Sequence, residues 1–287
     1  MKLALPLTLV LIAFAGNSVL NRMALVGEGA IGALEFATIR VLAGALMLVV
    51  LVRMRDRGKE RVRQVPTARQ LQAAGALALY LLGFSLAYLS LPAGLGALIL
   101  FGGVQVTMFA GAVLGGEAVP RQRWIGAALA FGGLCYLLWP SGAGAPDLAG
   151  ALLMTSAALG WGVYSLIGRG SADPLGDTGR NFLNAIVPVG AAMLIAGALE
   201  PGAPVPLRGA LLGIASGAIT SGLGYALWFR VLPALLPSVA AVAQLTVPLI
   251  AMAGGMLFLA EPLTTRFVIA SVIVLGGVAL AVLARGR

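Results

Sequence analysis

The chain has 287 residues, 60% of them hydrophobic and 10% charged, with a mean hydropathy of +1.00. A soluble domain is about a quarter charged, so this composition describes an integral membrane protein. With no histidine and the single Cys135, a histidine general base, a His/Cys metal centre and a disulfide are excluded, and no catalytic residue, metal or cofactor is expected.

A membrane-crossing helix needs about 20 apolar residues. Ten such segments are predicted in chain order, over 3–21, 33–52, 70–90, 94–115, 122–140, 149–168, 181–200, 208–229, 236–258 and 267–284. The first is read as a retained helix, since no small-residue cleavage site follows it. It carries Asn17 and Asn21, four residues apart on one face, suited to a substrate's ammonium or carboxylate group or to capping the end of the span. The second carries Arg40, about 10 Å into the span at 1.5 Å per residue. Arg40 either snorkels or pairs with carbonyls, or it serves as a gating or carboxylate-binding cation.

The third and fourth spans hold Tyr80, Phe101 and Gln105 near their middles, and the sixth holds Trp161, Tyr164 and Ser165. These aromatics lie too deep for an interfacial belt, to which Tyr88, Trp124, Trp139 and Trp228 are assigned. The seventh span opens on Asn181 and Asn184 and contains Pro188. The ninth contains Gln244, Thr246 and, close to its centre, Pro248, a candidate cavity wall or gating element. Gln244 lies one turn before Pro248, on roughly the same face. Polar side chains at this depth are costly unless partnered, so each is a functional candidate, against the plainer reading of a hydrogen bond between helices. Of the 40 glycines, Gly111 with Gly115 and Gly213 with Gly217 suit close helix packing. Gly102, Gly103, Gly222 and Gly224 are candidates for keeping a cavity open.

Charge sets the expected orientation. Arg22, Arg208 and Arg266 fall in the odd-numbered connections and Arg40 within a span; every other Lys and Arg, including the run from Arg53 to Arg63, falls at the termini or in even-numbered connections. The positive-inside rule then places both termini in the cytoplasm. It also assigns the net charge of +9 to loops beside the membrane, with lipid contact possible and no nucleic-acid partner.

The chain reads as two halves, 1–141 and 148–287. Glu117 with Gly132-Gly133 and Glu261 with Gly276-Gly277 repeat at an offset of 144 residues. Five spans per half is odd, so the second half is inverted, a common build for transporters with a midplane site.

Residues 79–139 and 221–284 resemble the EamA repeat of the drug/metabolite transporter superfamily. The second copy, with "VPLIAMAGGMLFLAEPLT", is the closer match, and the first has Val104 where the second has Pro248. Layout most resembles the bacterial amino-acid exporters of the YddG type. The resemblance implies an all-α membrane protein in which spans one to four and six to nine surround a central cavity, with spans five and ten peripheral. It implies an inner-membrane exporter of amino acids or related small metabolites, working by alternating access as a monomer or homodimer. An exporter of nucleobases, amines or drug-like molecules, or a membrane scaffold, are the alternatives. Substrate-binding candidates are Asn17, Tyr80, Phe101, Gln105, Trp161, Tyr164, Gln244 and Thr246; Arg40, Asn181, Asn184 and Pro248 are candidates for gating or for meeting substrate charge. No Asp or Glu lies at mid-membrane, which argues against carboxylate-based proton exchange and favours a zwitterionic or neutral solute.

Overall fold

The computed structural model describes residues 4–57, 66–116, 119–139, 146–168, 171–199, 204–231, 234, 243–244 and 246–283; Glu117 and most of the basic loop 58–65 lie outside this set. The helices are α1 (Ala4–Leu25), α2 (Ala33–Arg55), α3 (Ala68–Ala87), α4 (Ala93–Leu114), α5 (Arg121–Leu138), α6 (Leu148–Gly168) and α7 (Pro174–Leu199). There follow α8 (Leu207–Ile214), a π-helical segment (Ala215–Leu223) and α9 (Gly224–Val231) in direct succession, then α10 (Val247–Leu259) and α11 (Thr265–Leu283). No strand occurs among the described residues. Among the described residues seven segments are long and apolar enough to cross a bilayer: α1 to α4, α6, α7 and the composite Leu207–Trp228. Helices dominate because lipid offers the backbone no hydrogen-bond partners, so each span must satisfy its own.

Local chemistry sets the helix starts. Thr67 and Gln70 form a reciprocal capping box at α3. Prolines 92, 120 and 206 immediately precede α4, α5 and α8. The seventh helix begins at Pro174, a full two turns before the predicted 181. Asp173 accepts from the Gly176 N–H at 3.0 Å, and Pro174 fits the first turn, where its missing N–H costs nothing. Hydropathy alone does not register this cap.

Pro248 stands in the first turn of α10, just after a turn at Thr246 that separates it from the helical residues 243–244. Two sequence expectations change. Tyr88 is not part of an interfacial belt. It is fully buried, and its hydroxyl donates to the Ala93 carbonyl at 3.3 Å. The glycines expected to hold a cavity open instead fill contacts. A Cβ on Gly102 would meet Val274 at 2.9 Å, on Gly103 Ala158 at 2.8 Å, on Gly222 Met47 at 2.8 Å and on Gly224 Ala13 at 3.2 Å.

The packing places α2 against α7 and the π-helical segment, α3 against α6 and α7, and α1 against the π-helical segment and α10. Small residues allow these approaches. A Cβ at Gly160 would stand 2.7 Å from the Ala76 carbonyl oxygen, and one at Gly217 would overlap the Arg40 carbonyl oxygen. Helices α5 and α11 pair with each other, and Gly126 faces the Gly277 backbone at their crossing.

Substituting Gly126 by valine is expected to lower the Tm of purified protein in detergent, by an overpacking cost of about 1–3 kcal/mol. Gly132→Ala, whose added methyl meets nothing within 4 Å, should leave Tm unchanged or raise it, since alanine favours helix by up to ~1 kcal/mol. Thermal unfolding of the two variants in parallel checks the crossing.

Candidate functional site

Arg40 is the largest fully buried side chain of the described structure. Its Nη2 donates to the Tyr80 hydroxyl at 2.8 Å and its Nε to the Ser221 hydroxyl at 3.3 Å. The guanidinium lies over two rings, 5.2 Å from the centre of Tyr80 and 4.8 Å from that of Phe84. Its Nη1 is buried with no hydrogen-bond partner. Among the described residues no carboxylate forms an ion pair with it.

The π-helical segment builds the opposite wall. Its i→i+5 bonding widens the turn, so residues four and five apart share a side. Ser216, Thr220 and Ser221 therefore all reach the Asn17 carboxamide oxygen, at 2.9, 2.5 and 3.3 Å. Ser221 thus links Asn17 to Arg40. One α1 turn on, Asn21 Nδ2 donates to Ser85 at 3.1 Å, while its Oδ1 is buried and unpartnered.

Aromatic rings extend this polar group into a column. Tyr80 packs on Trp161 with centroids 5.0 Å apart, and Trp161 on Tyr225 at 5.2 Å and on Tyr164 at 5.4 Å. The Tyr225 hydroxyl pairs with that of Tyr80. Tyr225 continues to Phe14 and Phe182, and the Tyr164 hydroxyl reaches the side chains of Asn181 and Thr178. The Asn181 Oδ1 is a second buried acceptor without a partner.

Six of the residues singled out from sequence thus converge: Asn17, Arg40, Tyr80, Trp161, Tyr164 and Asn181. The others do not join them through any described contact. Phe101 is buried in the core, and Gln105 and Asn184 are half-buried. Gln244 is half-buried ahead of α10. Thr246 is exposed and donates its hydroxyl to the Ala243 carbonyl at 2.7 Å. Sequence reasoning missed Ser216, Thr220, Ser221 and Tyr225. Three hydroxyls within six residues of one apolar span was the available signal; the π-helical turn that unites them was not.

Both ends of the column are tied by charge. At one end Arg22 donates to the carbonyls of Tyr88 at 2.7 Å and Leu89 at 2.8 Å and stands 3.7 Å from Glu261. Ala260, in the left-handed region at φ 52°, turns the chain so that the Glu261 carboxylate accepts the Ala93 N–H at the start of α4. Burial raises the Glu261 carboxyl above its ordinary range, opposed by that N–H and by Arg22. At the other end Arg55 holds Asp173 through two bonds, at 2.6 and 3.1 Å, which lowers the Asp173 carboxyl. Each tie joins ends that the charge pattern assigns to the same side.

Residues 148–283 match the EamA-like transporter family. The uncharacterized protein PA1977 of Pseudomonas aeruginosa is 46% identical over 274 residues, spanning 95% of this chain and 91% of the relative. A crystal structure at 20% identity superposes with a TM-score of 0.66, covering 96% of this chain and 95% of its own, and shares the fold.

The raised Glu261 carboxyl gives a pH signature. Its proton is held more tightly in the folded chain, so its titration favours folding at acid pH and loses that contribution as pH rises through the raised value. Glu261→Gln removes the titration. The Tm difference between wild type and this variant should therefore depend on pH above the ordinary glutamate range and become constant below it. A difference flat across the whole range would show that Glu261 is not perturbed.

Proposed function

We infer that this chain, which belongs to the EamA-like transporter family, moves small carboxylate-bearing metabolites, amino acids or their relatives, out across the bacterial inner membrane. The carrying observation is the Arg40 guanidinium, fully buried with an unpaired Nη1, beside the Tyr80 and Ser221 hydroxyls. Free buried donors of a planar cation fit a carboxylate. The rings of Trp161, Tyr164 and Tyr225 offer an apolar wall for the rest of the solute.

The proposed mechanism is alternating access between two inverted halves of five spans each, with both termini in the cytoplasm. The packing supports it, because neighbours occur in exchanged sets. Span three meets span six as span eight meets span one, and span two meets the π-helical segment as span three meets span seven. The end ties, Arg22 with Glu261 and Arg55 with Asp173, stand where such a cycle would break and remake contacts. The site's unpaired positive charge also argues against cationic amines and drugs as cargo.

Reconstituted into liposomes, the protein should give saturable, protein-dependent flux of a labelled carboxylate-bearing solute from an amino-acid and organic-acid panel. Arg40→Gln should reduce kcat/KM by about 100-fold or more, on the order of the 3 kcal/mol associated with a charged hydrogen bond. Tyr80→Phe should cost about tenfold at most. Flux by Arg40→Gln at the wild-type rate would remove Arg40 from the site.

A further inference from the structure

We propose that the site selects a carboxylate with no compensating ammonium group, a 2-hydroxy acid or similar monoanion over the matching amino acid, and that the membrane potential alone drives its export. This rests on the reading of Arg40 as the carboxylate site and specifies its charge.

The argument is one of charge balance. A buried ion is stable only when paired. Arg40 contributes one positive charge, and its partners among the described residues are neutral: Tyr80 and Phe84 on α3, Ser221 on the π-helical segment, Tyr225 on α9 and, through Ser221, Asn17 on α1. The acidic side chains of the sequence all fall outside the middles of the spans. A monoanion would bring this group to neutrality. A zwitterion would supply a carboxylate but add an ammonium, leaving the buried group at a net charge of one. Two other unpaired buried atoms, Asn21 Oδ1 beside Ser85 and Asn181 Oδ1 beside Tyr164, are neutral acceptors. A hydroxyl satisfies such an acceptor at no charge cost, whereas an ammonium would find no carboxylate. The body of the solute meets Trp161, Tyr164 and Tyr225, which favours an aromatic or branched apolar group.

The driving force follows. A cycle that carries one negative charge outward runs with an inside-negative potential, at ~2.3 kcal/mol per 100 mV, an outside-to-inside ratio of about fifty at equilibrium. No coupling ion is needed, and a protonatable carboxylate at mid-membrane would serve no purpose.

The test compares isosteric pairs. Full-length protein in liposomes is preloaded with labelled 3-phenyllactate or phenylalanine, and separately with 2-hydroxyisocaproate or leucine, each pair differing in a hydroxyl against an ammonium. Potassium gradients with valinomycin set the potential to either sign, and protein-free vesicles give the background. The expected result is saturable efflux of at least one hydroxy acid, at least tenfold faster than its amino acid. It should be accelerated by inside-negative and slowed by inside-positive potential. Tyr80→Phe, which keeps the cation, should retain the voltage dependence at reduced rate, while Arg40→Gln should lose the preference for the hydroxy acid. Amino-acid efflux equal to or faster than that of the hydroxy acid, indifferent to potential, would overturn this inference and leave the carboxylate transporter intact. Absence of flux for both members of both pairs would overturn the inference and the assignment of a carboxylate site to Arg40 together.

Discussion

An arginine held in the membrane interior with no carboxylate partner among the described residues is the constraint around which the rest of the structure is arranged. The charge cannot be abandoned in hydrocarbon, so its surroundings must satisfy what donors they can. Tyr80 and Ser221 take two of them, and the faces of Tyr80 and Phe84 meet the cation. Bringing Ser221 there requires the π-helical turn, and bringing that turn close requires glycine at 217, where any side chain would strike the Arg40 carbonyl. The Asn17 carboxamide then holds the three hydroxyls of that turn in place. Four elements are thus fixed relative to one another by the accommodation of a single side chain.

The same arrangement separates what is structural from what is available for a solute. Asn17 uses its oxygen entirely on neighbouring hydroxyls, and Tyr88 donates its own to the Ala93 carbonyl at the start of α4. These groups position others. Arg40 Nη1, Asn21 Oδ1 and Asn181 Oδ1 retain capacity to bond while remaining buried. Leaving such groups unpaired is expensive in a protein interior, and a site that alternates between sides has reason to carry the cost, since the substrate repays it on binding. The end ties differ in kind: Arg55 with Asp173 is open to water, where ion pairs break at little cost, whereas Arg22 with Glu261 is largely buried.

Much of the fold was legible in the sequence because hydropathy and membrane thickness leave few choices. Helices α1 to α6, the run from α8 through α9, and α11 fall within a few residues of the expected spans. The departure is chemical: the Asp173-Pro174 cap carries α7 two turns earlier than hydropathy suggests. For the site, depth and polarity in the sequence singled out Asn17, Arg40 and Tyr80, which do meet. Thr246, singled out by the same reasoning, donates its hydroxyl within its own turn and has no described contact with them. Ser216, Thr220 and Ser221 were missed, because ordinary α-helical spacing does not set all three on one side. Arg40 looked like one option among several until its burial and its unpaired nitrogen were visible. On the reading proposed above, that finding turns the favoured solute from a zwitterionic or neutral molecule to an anion.

The central claim is that the Arg40 charge is balanced by the substrate. Ligand-dependent Tm shifts of wild-type protein and Arg40→Gln in neutral detergent test it without requiring transport. A ligand that binds only the folded state raises stability by RT ln(1 + [L]/Kd). The account predicts a concentration-dependent rise in wild-type Tm with 3-phenyllactate and none in Arg40→Gln. Equal shifts in the two proteins would contradict it.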